Sequence, residues 1–276
     1  MSAKGRTVAA VCAATAATAA LTGCNSTDDS SAPLVVPAAT TSAASAASAA
    51  PGKDDPFSSM TADGIVSLAE ANMRHAGSMT VSVNAVEEGK VLQIKASLTD
   101  TGKCAAALRT GTASMQLIKT DDTHAYLKGN AAYWRIAGGA KGDKVAATIG
   151  DRWVKLNKKV LDSPSLGEFC SFDGLMTDML SDGEDDSDAE VVKGTPTTLD
   201  GQEVLPLVEK LDDETDTLYV TTGRTPYVVK LEGLGGDSPG YATFTDFGKK
   251  PHITAPPASQ TLNMADLGID PNGISV

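Results

Sequence analysis

Between residues 90 and 99 the chain alternates: Leu92, Ile94, Ala96 and Leu98 are apolar, and Gln93, Lys95, Ser97 and Thr99 between them are polar. A period of two puts each set on its own face of an extended backbone, so this segment reads as a strand with one dry and one wet face. Neighbouring stretches near 78–87, 103–110, 112–119 and 123–129 read the same way, joined by connections as short as Glu88-Gly89 and Asp100-Thr101-Gly102. Links this short suit hairpins and therefore antiparallel pairing. More strands are expected near 152–157, 190–199, 203–210, 216–222, 226–232 and 240–247.

A large sheet with one apolar face needs a cover. Ile65, Leu68, Ala69, Met73 and Ala76 fall on one stripe of a helix that has Asp63 in its first turn and Gly77 just past its end. Shorter helical segments are expected near 141–149 and 165–181. The second starts with Ser165 and Glu168 at capping-box spacing and carries Phe169, Phe172, Met176, Met179 and Leu180 as its stripe. The class is α+β: a large antiparallel sheet, apolar on one face, covered by a few amphipathic helices.

The N-terminus carries an address. Lys4 and Arg6 precede an uncharged Ala-rich run from Thr7 to Ala20, the order of a secretory signal peptide. The run is too short for a convincing span of about 20 residues. Leu21-Thr22-Gly23-Cys24 resembles a bacterial lipobox, which implies cleavage after residue 23 and acylation of Cys24. Without a twin-arginine pair, export by the general secretory route is expected. Several acyl chains suffice for stable anchoring, so the expected location is the outer face of the cytoplasmic membrane. From Asn25 to Pro56, Ala, Ser, Pro and Thr make up 22 of 32 residues, which reads as a flexible tether. The expected organisation is a signal peptide at 1–23, lipidated Cys24 and tether at 24–56, and one domain at 57–276.

Loss of residues 1 to 23 leaves 21 Lys and Arg against 35 Asp and Glu, a net charge of about −14. A surplus this acidic argues against nucleic acid as a partner. It also leaves Cys104 and Cys170 as the cysteines of the folded part, which in an oxidising compartment read as one disulfide.

Sequence motifs for chemistry are absent. His75, His124 and His252 are widely separated and belong to no H-E-x-x-H pattern, and there is no G-x-S-x-G, S-x-x-K, phosphate-binding or dinucleotide-binding glycine motif. No catalytic residue, metal site or cofactor is assigned. The acidic run at 182–190 alternates Asp182, Glu184, Asp186 and Asp188, yet an EF-hand loop started at Glu184 would place Ala189 and Thr195 where Gly and Glu are needed. It reads as a solvated loop.

The segments "GSMTVSV", "YLKGNAAYWR", "DRWVKL" and "LYVTTGRTPYVVKLEG" follow one another after the lipobox and resemble segments of the actinobacterial LppX/LprG-type lipoproteins over roughly residues 60 to 250. That family is similar in fold to the LolA and LolB carriers. The resemblance implies a strongly bent antiparallel sheet, a half-barrel, closed by helices around an apolar cavity for lipid or a lipid-anchored glycolipid. The long tether, the acidic 182–190 run and the Cys104/Cys170 pair depart from that pattern.

On this reading Ile65, Leu68, Met73, Leu92, Ile94, Leu98, Phe172, Met176 and Met179 are candidates to line the cavity; the same residues would equally make a packed core. Tyr126, Tyr133 and Trp134, three of the twelve aromatic residues, lie within "HAYLKGNAAYWR" and are candidates for its mouth, or for a corner where strand packs on helix. The expected activity is lipid binding or carriage without bond-making. The alternative is a non-catalytic interaction or sensor lipoprotein with a filled core and an envelope protein as partner.

Overall fold

The computed structural model describes residues 56–87, 89–163, 166, 169–180, 191–211, 214–234 and 239–267. The lipobox, the tether, the acidic run 182–190 and the Ser165/Glu168 capping pair therefore lie outside the described residues.

Helix α1 (Ala62–His75) starts where the Thr61 hydroxyl accepts a hydrogen bond from the Gly64 N–H at 3.2 Å. Asp63 in its first turn and Arg74 and His75 in its last complement the helix dipole. Gly77, at a φ of +71°, turns the chain straight into the first strand, a conformation that costs glycine nothing.

The strands follow in hairpins: β1 (Ser78–Glu87), β2 (Lys90–Thr99), β3 (Cys104–Thr110), β4 (Ala113–Asp121) and β5 (His124–Gly129). Helices α2 (Ala131–Ala137) and α3 (Gly142–Ile149), strand β6 (Trp153–Lys155), a single turn α4 (Lys158–Leu161) and α5 (Phe172–Leu180) come next. The second half holds β7 (Val192–Lys193), β8 (Thr197–Leu199), β9 (Gln202–Leu211), β10 (Glu214–Thr221), β11 (Val228–Leu234), β12 (Gly240–Thr245) and β13 (Thr261–Asn263).

The thirteen strands of the described residues join one sheet in the order β13-β6-β5-β4-β3-β2-β1-β12-β11-β10-β9-β7, with β8 also on β9. Every pair is antiparallel except β13 with β6. The two halves meet where β1 pairs β12, from Thr80 opposite Thr245 to Ala85 opposite Gly240. Edge strands β13 and β7 do not pair with each other, so the sheet is open rather than a closed barrel. This is the α+β half-barrel class. No helix among the described residues is long and apolar enough to cross a membrane.

Two expectations need correction. The strand expected over 190–199 is two short ones, broken at Gly194-Thr195-Pro196. Its neighbour β9 carries Pro206, which has no N–H to give, and only the Pro206 carbonyl is used, by the Gly194 N–H at 2.8 Å. The stripe of α1 is Ala62, Ile65, Ala69 and Met73, all buried, whereas Leu68 is 39% exposed. Leu68 shares its flank with Asn72, whose side-chain amide donates to the Pro226 carbonyl at 2.9 Å, so this side of α1 runs along a loop instead of over the sheet. Tyr133 and Trp134 lie in a short helix, α2.

Candidate functional site

The strand register sorts the inner face of the sheet into bands. In the first band Val154, Leu127, Leu117, Ala106, Ala96, Val81 and Phe244 stand opposite one another in turn on β6, β5, β4, β3, β2, β1 and β12. None of these side chains is more than 7% exposed. Helix α1 packs over β1, β10 and β11 with Ile65, Ala69 and Met73 each at 0% exposure, while α2 lies over β4 and β5.

The second band runs two residues further along the strands: Leu108, Ile94, Val83, Ala242, Leu231 and Leu218, again directly opposite one another on β3, β2, β1, β12, β11 and β10. Its ends are closed by Met115 at 3% and Leu207 at 0%. Between them Leu108, Ile94, Val83, Leu231 and Leu218 are only half-buried. Five strand spacings of about 4.8 Å make this a half-buried apolar band about 24 Å long. Asp216, two residues from Leu218 on the same face of β10, stands across from Gly233, and burial raises its carboxyl above the usual range.

The sequence-predicted lining residues divide between these bands. A cavity wide enough for an acyl chain would leave its wall open to a water-sized sphere. Ile65, Met73 and Leu98 keep no such surface, and Met176 at 1% and Phe172 at 6% keep almost none, so these five are packed core. Leu92 and Ile94 are half-buried and belong to the open part, and Leu68 lies on the outer flank of α1. The side chain of Met179 lies outside the described residues. Three hollows of about 970, 520 and 250 Å³ open on the described residues, and none is lined by Ile65, Met73, Leu98, Phe172 or Met176.

Val83, Leu108, Leu218 and Leu231 were missed as site residues. Val83 and Leu108 carry the same period-two signal as Leu92 and Ile94. What was hidden is how far along the strands the helices reach.

The aromatic candidates form a corner. Asn130 caps α2 by accepting from the Tyr133 N–H at 2.9 Å, accepts from the Ser114 N–H at 3.2 Å, and donates to the Thr112 carbonyl at 2.8 Å. One side chain thus ties the start of α2 to the β3–β4 hairpin. Tyr133 lies flat against Gly129, where any Cβ would run into the ring, and meets Trp134 edge to face with centroids 5.0 Å apart. Trp134 is 0% exposed and is core; Tyr126 and Tyr133 are half-buried. Lys128 pairs with Asp151 at 2.9 Å and Arg135 with Asp143 at 2.8 Å. His124 is held at the start of β5 by Asp121 at 2.9 Å, and hydrogen bonds from Thr123 first and His124 next keep that carboxyl below the usual range. Among the described residues no three His, Cys, Asp or Glu side chains gather as a metal site requires.

Burial pushes the Tyr133 phenol up to about 12. An unfolded tyrosine titrates near 10, so the folded state holds its proton longer and the stability this contributes is lost as pH rises from about 10 towards 12, by up to about 2 kcal/mol. Comparing denaturant unfolding of the wild type and Tyr133→Phe from pH 8 to pH 11.5 isolates the effect. The wild type should lose stability relative to the variant only above about pH 10; a gap independent of pH would show that the phenol is not buried.

No family model and no curated protein matches the chain. Among solved structures it is similar to the lipoprotein LppX of Mycobacterium tuberculosis, at 8% identity, over 69% of this chain and 96% of that one, with a TM-score of 0.43. It is similar to LprF from Mycobacterium bovis at 12% identity, over 71% and 96%, with a TM-score of 0.45. A putative outer membrane lipoprotein-sorting protein domain from Vibrio parahaemolyticus is similar at 8% identity, over 67% and 90%, with a TM-score of 0.23. These TM-scores lie below 0.5, and the α+β half-barrel fold rests on the sheet and its register.

Proposed function

We propose that the chain is a membrane-anchored lipoprotein, held by acylated Cys24 on the outer face of the cytoplasmic membrane, whose folded domain binds or carries a lipid through its acyl chain. The observation that carries this reading is the second band: six apolar residues in register across six strands, five of them half-buried and Ala242 buried, with buried Met115 and Leu207 at the ends. A folded domain gains by burying such a surface, and a linear hydrocarbon matches its length. The lipid head would lie outside the band, with a glycolipid as one form of it. No bond is made or broken. The tether at 25–56 would let the domain meet a donor and an acceptor surface in turn.

The test is native mass spectrometry of the whole chain carrying Cys24→Ala, after incubation with phosphatidylglycerol vesicles. One bound lipid per chain is expected. Ile94→Gln together with Leu231→Gln should reduce the loaded fraction at least tenfold, since two polar groups at the centre of the band would each lose hydrogen bonds to water under an acyl chain. Repeated absence of lipid, or loading unchanged by the double variant, would sink the proposal. The sealed first band favours a second reading, an interaction lipoprotein with a filled core. Crosslinking in cells would then recover one stable protein partner that is lost when 182–190 is neutralised.

A further inference from the structure

A separate hollow lies away from the second band. It measures about 970 Å³ and opens where the β10–β11 loop at 222–227, the turn at 199–202 and the residues after β12 come together. Among its lining residues strand alternation turns Lys230, Tyr241, Thr243 and Thr245 away from the inner face, since Leu231, Ala242 and Phe244 point inward.

Its walls combine rings with paired polar groups. Tyr227 and Phe247 stack face to face, with centroids 4.3 Å apart and planes 5° from parallel. The Thr221 hydroxyl accepts from the Tyr227 N–H at 2.9 Å and so fixes the backbone that carries the stack. Tyr241 is 43% exposed, an unusual position for a ring in a chain that is 4% aromatic. Lys230 lies 5.5 Å from the Tyr241 centroid, 5.4 Å from the Tyr219 centroid and 3.1 Å from Glu232, so its charge is spent on both rings and a carboxylate. Gln202 and Glu203 are exposed on the lining and use no side-chain hydrogen bond among the described residues. Charge on the lining nearly cancels: Asp200, Glu203 and Asp246 face Lys230 and Lys249.

Each feature selects against a class. An open hollow with exposed acids does not desolvate a hydrocarbon, and near-balanced charge gives a phosphate or polyanion no purchase. Pyranose rings carry the complementary pattern: axial C–H faces that lie on aromatic rings, and equatorial hydroxyls that pair with carboxylate and amide oxygens. The volume falls in the usual range for a ligand site of about 300–1,000 Å³. We propose that this hollow is a binding site for an uncharged oligosaccharide, with Tyr241 and the Tyr227/Phe247 pair as stacking surfaces and Gln202 and Glu203 as hydroxyl partners. The site is independent of the second band and stands whether or not that band takes lipid.

Saturation-transfer NMR and calorimetry on the full chain with maltohexaose, mannohexaose and chitohexaose test it. At least one should bind with a dissociation constant below about 1 mM, with transfer strongest at the ring C–H protons. Tyr241→Ala should weaken binding at least tenfold and Glu203→Gln several-fold, whereas Val91→Ala, on the exposed β1–β2 hairpin, should leave it unchanged. Thermal unfolding confirms that each variant is folded, and if Tyr241→Ala is not, Glu203→Gln decides alone. Absence of binding by all three sugars at about 5 mM, or binding undiminished in the folded variants, overturns the proposal. Capture of a proline-rich peptide in this hollow without any sugar overturns it as well.

Discussion

Replacing Trp134 by Ala is expected to cost about 3–5 kcal/mol, the usual range for emptying a buried aromatic position, and to lower the unfolding midpoint by roughly 6–20 °C. Trp134 heads the fully buried side chains by volume and joins α2 to the β4–β5 part of the inner face. Its indole N–H is buried with no hydrogen-bond partner among the described residues, an arrangement that itself costs about 1–3 kcal/mol. Trp134→Phe removes that unpaired donor together with part of the volume. The Phe variant should therefore lose less than half of what the Ala variant loses. Denaturant unfolding of the three proteins measures both numbers. An Ala variant within 1 kcal/mol of the wild type would show that the corner is not core, and equal losses for Phe and Ala would show that the indole N–H has a partner after all.

The corner was legible in part. Strand alternation through His124, Ala125, Tyr126, Leu127 and Lys128 divides the faces as the structure does, with Ala125 and Leu127 at 0% exposure. The hairpins were legible for the same reason: each is a local pairing set by a short turn and a period-two pattern, and β1 and β2 pair over their whole length from Ser78 opposite Thr99 to Glu87 opposite Lys90. Strand β13 was not legible. Thr261-Leu262-Asn263 has no pattern of its own and becomes a strand only because β6, more than a hundred residues earlier, presents a free edge to it.

The candidate site was legible as a face and not as a place. Leu92, Ile94, Ala96 and Leu98 all point inward, as their alternation requires, yet Leu98 and Ala96 are sealed while Leu92 and Ile94 are not. The difference lies in what distant parts of the chain bring to each end of β2: Leu98 stands opposite Cys104, whose disulfide to Cys170 holds the segment before α5 against that end. Gly77 returns the chain into β1 at its first residue and so keeps the end of α1 beside Ser78 and Met79. No property of Leu92 or Leu98 taken alone carries this information.

Removing the Cys104–Cys170 bond in the double variant Cys104→Ala/Cys170→Ala is expected to cost up to about 4 kcal/mol, because the bond closes 66 residues of separation and the unfolded chain regains that freedom. Cys104 opens β3 and is 0% exposed, while Cys170 stands two residues before α5 and is 2% exposed. The bond therefore fastens the start of α5 to the sheet, next to Phe172 and Met176 in the sealed core. Two consequences separate this account from a generic loss of stability. Dithiothreitol should lower the unfolding midpoint of the wild type, by roughly 8–16 °C, and leave the double variant unmoved. A hydrophobic dye should bind the folded double variant more strongly than the wild type, since a loosened α5 uncovers Phe172 and Met176 and extends the apolar surface beyond the Leu108–Leu218 band. A double variant that unfolds within 2 °C of the wild type would mean that packing alone holds α5 in place, and the disulfide would then have no part in keeping the first band closed.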